Sequence, residues 1–129
     1  MRLLLDTHIW LWSVQDYNRL SKRVQTELID PANEKWLSPI STWEILTLNQ
    51  KNRVALLPNA VDWIADATAP FREAPLTHEI AVAASQLQLQ HSDPADRLLA
   101  ATAKVLGLTL VTADTVLLGL RELATLANR

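Results

Sequence analysis

Apolar and polar positions along this chain fall into two alternating rhythms. Short stretches of strand length occur at Leu3 to Leu5, Trp36 to Ser38, Glu73 to Leu76 and Leu108 to Thr112. Between them, apolar residues recur at the three-to-four spacing of amphipathic helices. Ser21 is placed to cap a helix over Lys22 to Ile29, and the run Asp30-Pro31-Ala32-Asn33 ends it. Pro39 opens a helix through Leu48, and a further helix lies between Pro58 and Pro70. Thr77 starts an alanine- and leucine-rich helix running to about Leu89. The clearest helix has Asp93 at its cap, Pro94 at its first position and Gly107 as its terminator. Leu98, Leu99, Thr102, Val105 and Leu106 mark its inner face. The tail after Asp114 reads equally as a short helix or a last edge strand.

Strands alternating with helices predict an α/β domain with a central, mainly parallel sheet of four or five strands flanked by helices. In such sheets ligands gather beyond the carboxyl ends of the strands. Two predicted strands end there on an aspartate: Leu3-Leu4-Leu5-Asp6 and Leu110-Val111-Thr112-Ala113-Asp114. Two further acids fit the same edge. Glu44 stands among apolar neighbours about a turn and a half into the helix after the second strand. Asp96 is in the first turn of the helix that Asp93 caps, where the helix dipole favours an anion.

The bulk properties narrow the chemistry. The chain has 129 residues and no cysteine, which fits one domain without disulfides, thiolate nucleophiles or sulfur-ligated metals. No apolar run reaches the ~20 residues of a membrane helix, and Asp6 interrupts the apolar start, which reads poorly as a secretory signal. Function in a reducing cytoplasm, away from membranes, is the expectation. A net charge of −2 provides no global basic field. With only two glycines, at 107 and 119, neither a Walker loop nor a dinucleotide fingerprint is present.

Four carboxylates at one edge need compensation. Two charges ~4 Å apart repel by about 4 kcal/mol at an effective dielectric of ~20, against a domain's total stability of ~5–15 kcal/mol. Protonation is one relief. The other is a divalent cation, and an all-oxygen donor set selects Mg²⁺ or Mn²⁺ over zinc. His8, His78 and His91 lack the H-x-x-x-H spacing of a zinc site.

The pieces LLLDTHIWLW, SPISTWEI, DPADRLLAATA and LTLVTAD resemble, in order and spacing, the PIN-domain ribonucleases, and among them the VapC toxins of bacterial toxin–antitoxin pairs. The resemblance covers nearly the whole chain and implies a single PIN domain over 1–129. It implies that Asp6, Glu44, Asp96 and Asp114 form an acidic quartet holding Mg²⁺, or Mn²⁺, for endoribonucleolytic hydrolysis of RNA. Asp6 and Asp96 would hold the principal ion, with Glu44 contributing directly or through water and Asp114 completing the set. A cation-activated water would leave a 5′-phosphate and a 3′-hydroxyl. Thr7 and Thr112 would orient the acids, and Arg97 would touch an RNA phosphate or pair with an acid. The resemblance further implies a homodimer and a VapB-type antitoxin, for which Trp10 and Trp12 are the chosen interface residues. The tail matches only loosely the short strand that closes the family's fold.

Each residue also has a plain structural reading. Asp6 would cap a helix starting at Thr7, Glu44 would be a solvated helix acid, Asp96 a helix-start charge, and Asp114 a turn acid. Asp93 is read as a structural cap and His8 as a packing residue beside Asp6. Trp10, Trp12, Trp43 and Trp63 would be core. Arg19, Lys22, Arg23, Lys51 and Arg53 would be solvated, although Lys51 and Arg53 would also suit an RNA backbone approaching the acids. Two other functions remain open: another metal-dependent nuclease or phosphatase, and a catalytically silent binding module. A haloacid-dehalogenase-type phosphatase would carry an aspartate where His8 stands, which argues against that rival.

Overall fold

Leucines 3, 4 and 5 set the layers of the fold. They form strand β1 (Arg2–Leu5) in the computed structural model, which describes residues 1–89 and 93–129. Leu3 and Leu5 face one side of the sheet and Leu4 the other, and all three are fully buried. Burial on both faces is what a continuous apolar strand predicts, and each leucine so placed contributes about 1.5–3 kcal/mol. The other strands are β2 (Glu34–Leu37), β3 (Arg72–Glu73), β4 (Thr109–Thr112) and β5 (Thr125–Ala127). All neighbours pair in parallel, in the order β3-β2-β1-β4-β5. The chain therefore winds outward both ways from β1, and the topological switch lies between β1 and β4.

Seven α-helices among the described residues cover the two faces: α1 (Thr7–Gln15), α2 (Lys22–Ile29), α3 (Pro39–Gln50), α4 (Ala60–Thr68), α5 (His78–Gln86), α6 (Pro94–Leu106) and α7 (Thr115–Leu118). One core packs Ile9, Trp10, Val24, Ile45 and Trp63 against Leu3, Leu5 and Val111. The other packs Ile80, Ala84, Leu99 and Leu117 against Leu4 and Leu110. Helix starts follow the predicted capping chemistry. Ser21 Oγ accepts from Val24 N–H at 3.2 Å, Thr77 Oγ1 from Ile80 N–H at 3.2 Å, and Asp93 Oδ1 from Ala95 N–H at 2.9 Å. Gly107 ends α6 at φ +65°, the left-handed cap that glycine adopts without strain.

Several predicted boundaries move, each for a local reason. Ser38 leaves β2 and caps α3, its Oγ accepting from Ile40 N–H at 3.1 Å. β3 shrinks to two residues and begins earlier than expected, at Arg72. Pro75, which has no N–H to give a ladder, stands just beyond it. α5 ends at Gln86, where Leu87 turns extended, rather than at Leu89. α6 is buried on more than its leucine stripe, because Ala95, Ala100, Ala101 and Ala103 are also enclosed. The tail holds both alternatives, with α7 followed by the edge strand β5. His91 lies outside the described residues. Among the described residues, no helix is long and apolar enough to cross a membrane.

Candidate active site

β1 passes straight into α1, and Asp6 occupies the junction. Its N–H donates to the Val111 carbonyl on β4 at 3.0 Å, which pins it over the switch point. Asp6 stands at the cap position of α1, yet its side chain makes no capping bond. Instead Asp6 Oδ2 accepts from the hydroxyl of Thr112 at 2.6 Å. The same Thr112 oxygen accepts the N–H of Asp114 at 3.0 Å. One buried threonine thus ties the two strand-end aspartates to each other, and the helix-capping alternative for Asp6 is set aside.

Glu44 is held from the opposite side. The Thr7 hydroxyl donates to Glu44 Oε1 and shares a 2.9 Å hydrogen bond with the hydroxyl of Ser41, which is fully buried. Sequence reasoning missed Ser41. The signal was available in its place one helical turn before Glu44, on the same face of α3. Asp114 has two roles: its Oδ1 accepts from Val116 N–H at 2.8 Å and Leu117 N–H at 3.2 Å, capping α7, while the residue also lines the cleft. Asp96 enters from the first turn of α6.

The four predicted acids line a single cleft of about 380 Å³ with His8, Ile9 and Trp12. Asp93 joins them while serving as the cap expected of it. Burial raises the pKa of Asp6, an effect that Thr112 and the charge of His8 partly oppose. Burial likewise raises Glu44; Thr7 opposes that shift, and the charges of Asp93 and Asp6 add to it. Asp96 is pushed up to about 7, first by burial and then by the charges of Asp93, Asp6, Asp114 and Glu44. Asp6, Glu44 and Asp96 thus sit where a negative charge is disfavoured. The four predicted acids offer oxygen donors alone and fit a hard divalent cation. Among the described residues, no three acids or histidines stand close enough together to form a metal-binding group as placed.

Other predicted residues are placed elsewhere. The Arg97 guanidinium does not enter the cleft. It donates to the carbonyls of Ala84, Leu87 and Leu89 at 3.2, 3.2 and 2.9 Å, closing the C-terminal end of α5 onto α6. Trp10 is not an interface residue: it is 0 % exposed, stacks obliquely on Trp63 at 5.4 Å and donates from Nε1 to the Ala67 carbonyl. The exposed tryptophan is Trp43, at 62 %. Trp12 is half-buried, lines the acidic cleft and carries the Arg19 guanidinium 4.3 Å from its ring. Lys51 and Arg53 follow the C-terminal end of α3, and Arg53 lines a separate depression with Asn49 and Asn52.

Fold and cleft together define a class: a doubly wound α/β domain whose crevice at the sheet's switch point is lined by acids from distant segments. The chain belongs to the PIN domain family, whose sequence profile matches residues 3–123. It is 33 % identical over 113 residues to Ribonuclease VapC22 of Mycobacterium tuberculosis, covering 87 % of this chain and 86 % of that protein. Solved structures share the fold at lower identity. VapBC2 from Rickettsia felis bound to a DNA fragment from its promoter superposes with a TM-score of 0.76 at 16 % identity, covering 98 % of each chain. VapBC-1 from nontypeable Haemophilus influenzae gives 0.74 at 16 %, again covering 98 % of each chain. DNA-bound VapBC from Salmonella typhimurium gives 0.73 at 13 %, covering 100 % of this chain and 99 % of that one.

Proposed function

We propose that this protein is the toxin of a toxin–antitoxin pair and acts as an endoribonuclease dependent on Mg²⁺ or Mn²⁺. The observation that carries the reading is the convergence of Asp6, Glu44, Asp96 and Asp114 in one cleft at the β1/β4 switch, in a chain 33 % identical to a VapC ribonuclease. Asp6 and Asp96 are the principal ligands, and Glu44 and Asp114 complete the set. When bound, the divalent cation activates water and neutralises charge on the scissile phosphate. Thr112 fixes the Asp6 carboxylate and, through the Asp114 N–H, the chain that presents the second acid. The paired hydroxyls of Thr7 and Ser41 aim Glu44. Asp114 keeps Oδ1 on the start of α7, which fixes the orientation of its carboxylate. Such supporting hydrogen bonds set the orientation and basicity of metal-binding carboxylates.

The partners are a VapB-type antitoxin and a second copy of this chain, in the cytoplasm. Two apolar surfaces suit them. A groove of about 400 Å³ is bordered by Val14, Tyr17, Ile29, Leu57 and Phe71, and takes the antitoxin in this reading. The exposed Trp43, with Ile40, Leu76 and Pro94, forms a second patch for the other copy. Expression in a bacterial host tests the whole reading. The wild-type chain is expected to arrest growth and fragment cellular RNA, and Glu44→Gln to do neither. Growth arrest by Glu44→Gln equal to the wild type would overturn the assignment of the cleft.

A further inference from the structure

The acidic cleft poses a problem for any polyanionic substrate, because five carboxylates line it and the net charge of the chain is −2. Arg97 is occupied by three carbonyls, and Lys51 and Arg53 lie away from the cleft. One rim of the cleft differs. His8 and Trp12 stand one turn apart on α1 and both line it, their rings 5.9 Å apart and inclined by 50°. Arg19, from the 3-10 turn Tyr17–Arg19, places its guanidinium 4.3 Å from the Trp12 ring. Among the described residues Arg19 forms no ion pair with an acid. An exposed imidazole, an indole and a guanidinium therefore make a continuous row beside the acids.

We propose that this row is the substrate-positioning surface of the enzyme, on which an unpaired nucleotide stacks against Trp12 and His8 while Arg19 takes a neighbouring phosphate. The inference rests on the ribonuclease reading and specifies which residues of this chain select the substrate. Aromatic faces at the edge of a groove hold unstacked bases with little regard to sequence. Guanidinium groups both stack on indoles and bind phosphate through their forked donors. Arg19 does the first in this structure, and among the described residues no acid pairs with its charge. Trp12 also packs partly against the first core, which fixes the indole before substrate arrives. A base paired within a duplex has no free face to offer, so the row favours single-stranded segments. His8, Trp12 and Arg19 act by positioning; the chemistry stays with the acids.

The test uses the full chain freed of antitoxin and a fluorescein-labelled single-stranded heptaribonucleotide, with the same strand annealed to its complement as control. Trp12→Leu and Arg19→Gln are expected to raise KM for the single strand roughly 10-fold with kcat unchanged. Trp12→Phe is expected to recover most of that loss, and duplex binding by anisotropy to be insensitive to all three. His8→Ala, at an exposed position, reports on the same surface should Trp12→Leu fold poorly. An unchanged KM in a Trp12→Leu or His8→Ala protein of normal melting temperature overturns the proposal. So does a Trp12→Leu protein that loses only its binding to antitoxin. A wild-type protein that cuts no RNA sinks the ribonuclease reading alone. The anisotropy series then decides the row separately: selective weakening of single-strand binding supports it, and equal binding by all variants rejects it.

Discussion

Thr112 does the most at the scale of single residues. Its hydroxyl proton goes to Asp6 and its oxygen receives the Asp114 N–H, so one side chain couples strand ends 108 positions apart in the chain. Thr112→Val keeps the shape and removes both bonds. The expected outcome is a fall in cleavage rate of about 10–100-fold, the usual effect of losing a group that orients a ligand, and a still higher pKa for Asp6. Rate assays and carboxylate titration by NMR check the two parts. Asp6, Asp96 and Asp114 were legible because each sits at a strand end or helix start, which the apolar pattern locates, and Glu44 because it is an acid among apolar neighbours within α3. The support was only partly legible. Thr7 and Thr112 adjoin their acids in sequence, whereas Ser41 depends on how α1 and α3 cross. Arg97 was misread because adjacence to Asp96 says nothing about direction: successive residues on a helix diverge by about 100°.

At the scale of elements, the capping chemistry carried the reading. Ser21, Thr77, Asp93, Pro94 and Gly107 all perform the predicted local roles. Gly107→Ala forces an alanine to φ +65°, where the added Cβ meets only Arg2 Nη1 at 3.9 Å. The cost is therefore conformational, about 1–2 kcal/mol, measurable by urea unfolding, with activity unchanged. Strand edges were harder to place. Ser38 looked like strand because its neighbours are apolar, but its side chain does more as a cap. β3 at the sheet's edge pairs on one side only and has a weak sequence signal. The tail combined helix and strand within a stretch too short for either period to declare itself.

At the scale of the whole molecule, charge and apolar surface decide behaviour. Asp6, Glu44 and Asp96 all have folded-state pKa values above their ordinary 3.8, 4.5 and 3.8, with Asp96 at about 7. Through that window the folded chain holds more protons than the unfolded one, so stability falls as pH rises. In EDTA the melting temperature is expected to be higher at pH 5 than at pH 8. Mg²⁺ is expected to raise it at pH 8 and hardly at pH 5, since a cation bound only by the folded state stabilises it by mass action. A scanning-fluorimetry series over pH, with and without Mg²⁺, checks both. On the proposed pairing through the exposed apolar patch, Trp43→Asp, which places a charge there, is expected to run as a monomer in light scattering where the wild type runs as a dimer. A mainly parallel sheet of four or five strands follows from the alternation of elements, whereas the fifth strand and the β1/β4 neighbourhood at the switch point come from the strand order itself. The exposed apolar surface did not follow either, because sequence showed a surplus of tryptophan without showing which one the core would absorb. Trp10 was absorbed and Trp43 was not.

The central claim is that acids from four distant segments make one cation-dependent site for cutting RNA. Its most direct test is cleavage of structured RNA by the purified, antitoxin-free protein in Mg²⁺, in EDTA, and with Asp6→Asn. Cutting in Mg²⁺ that disappears both in EDTA and in a folded Asp6→Asn protein is the predicted result. Cutting that persists in EDTA or in Asp6→Asn would contradict it.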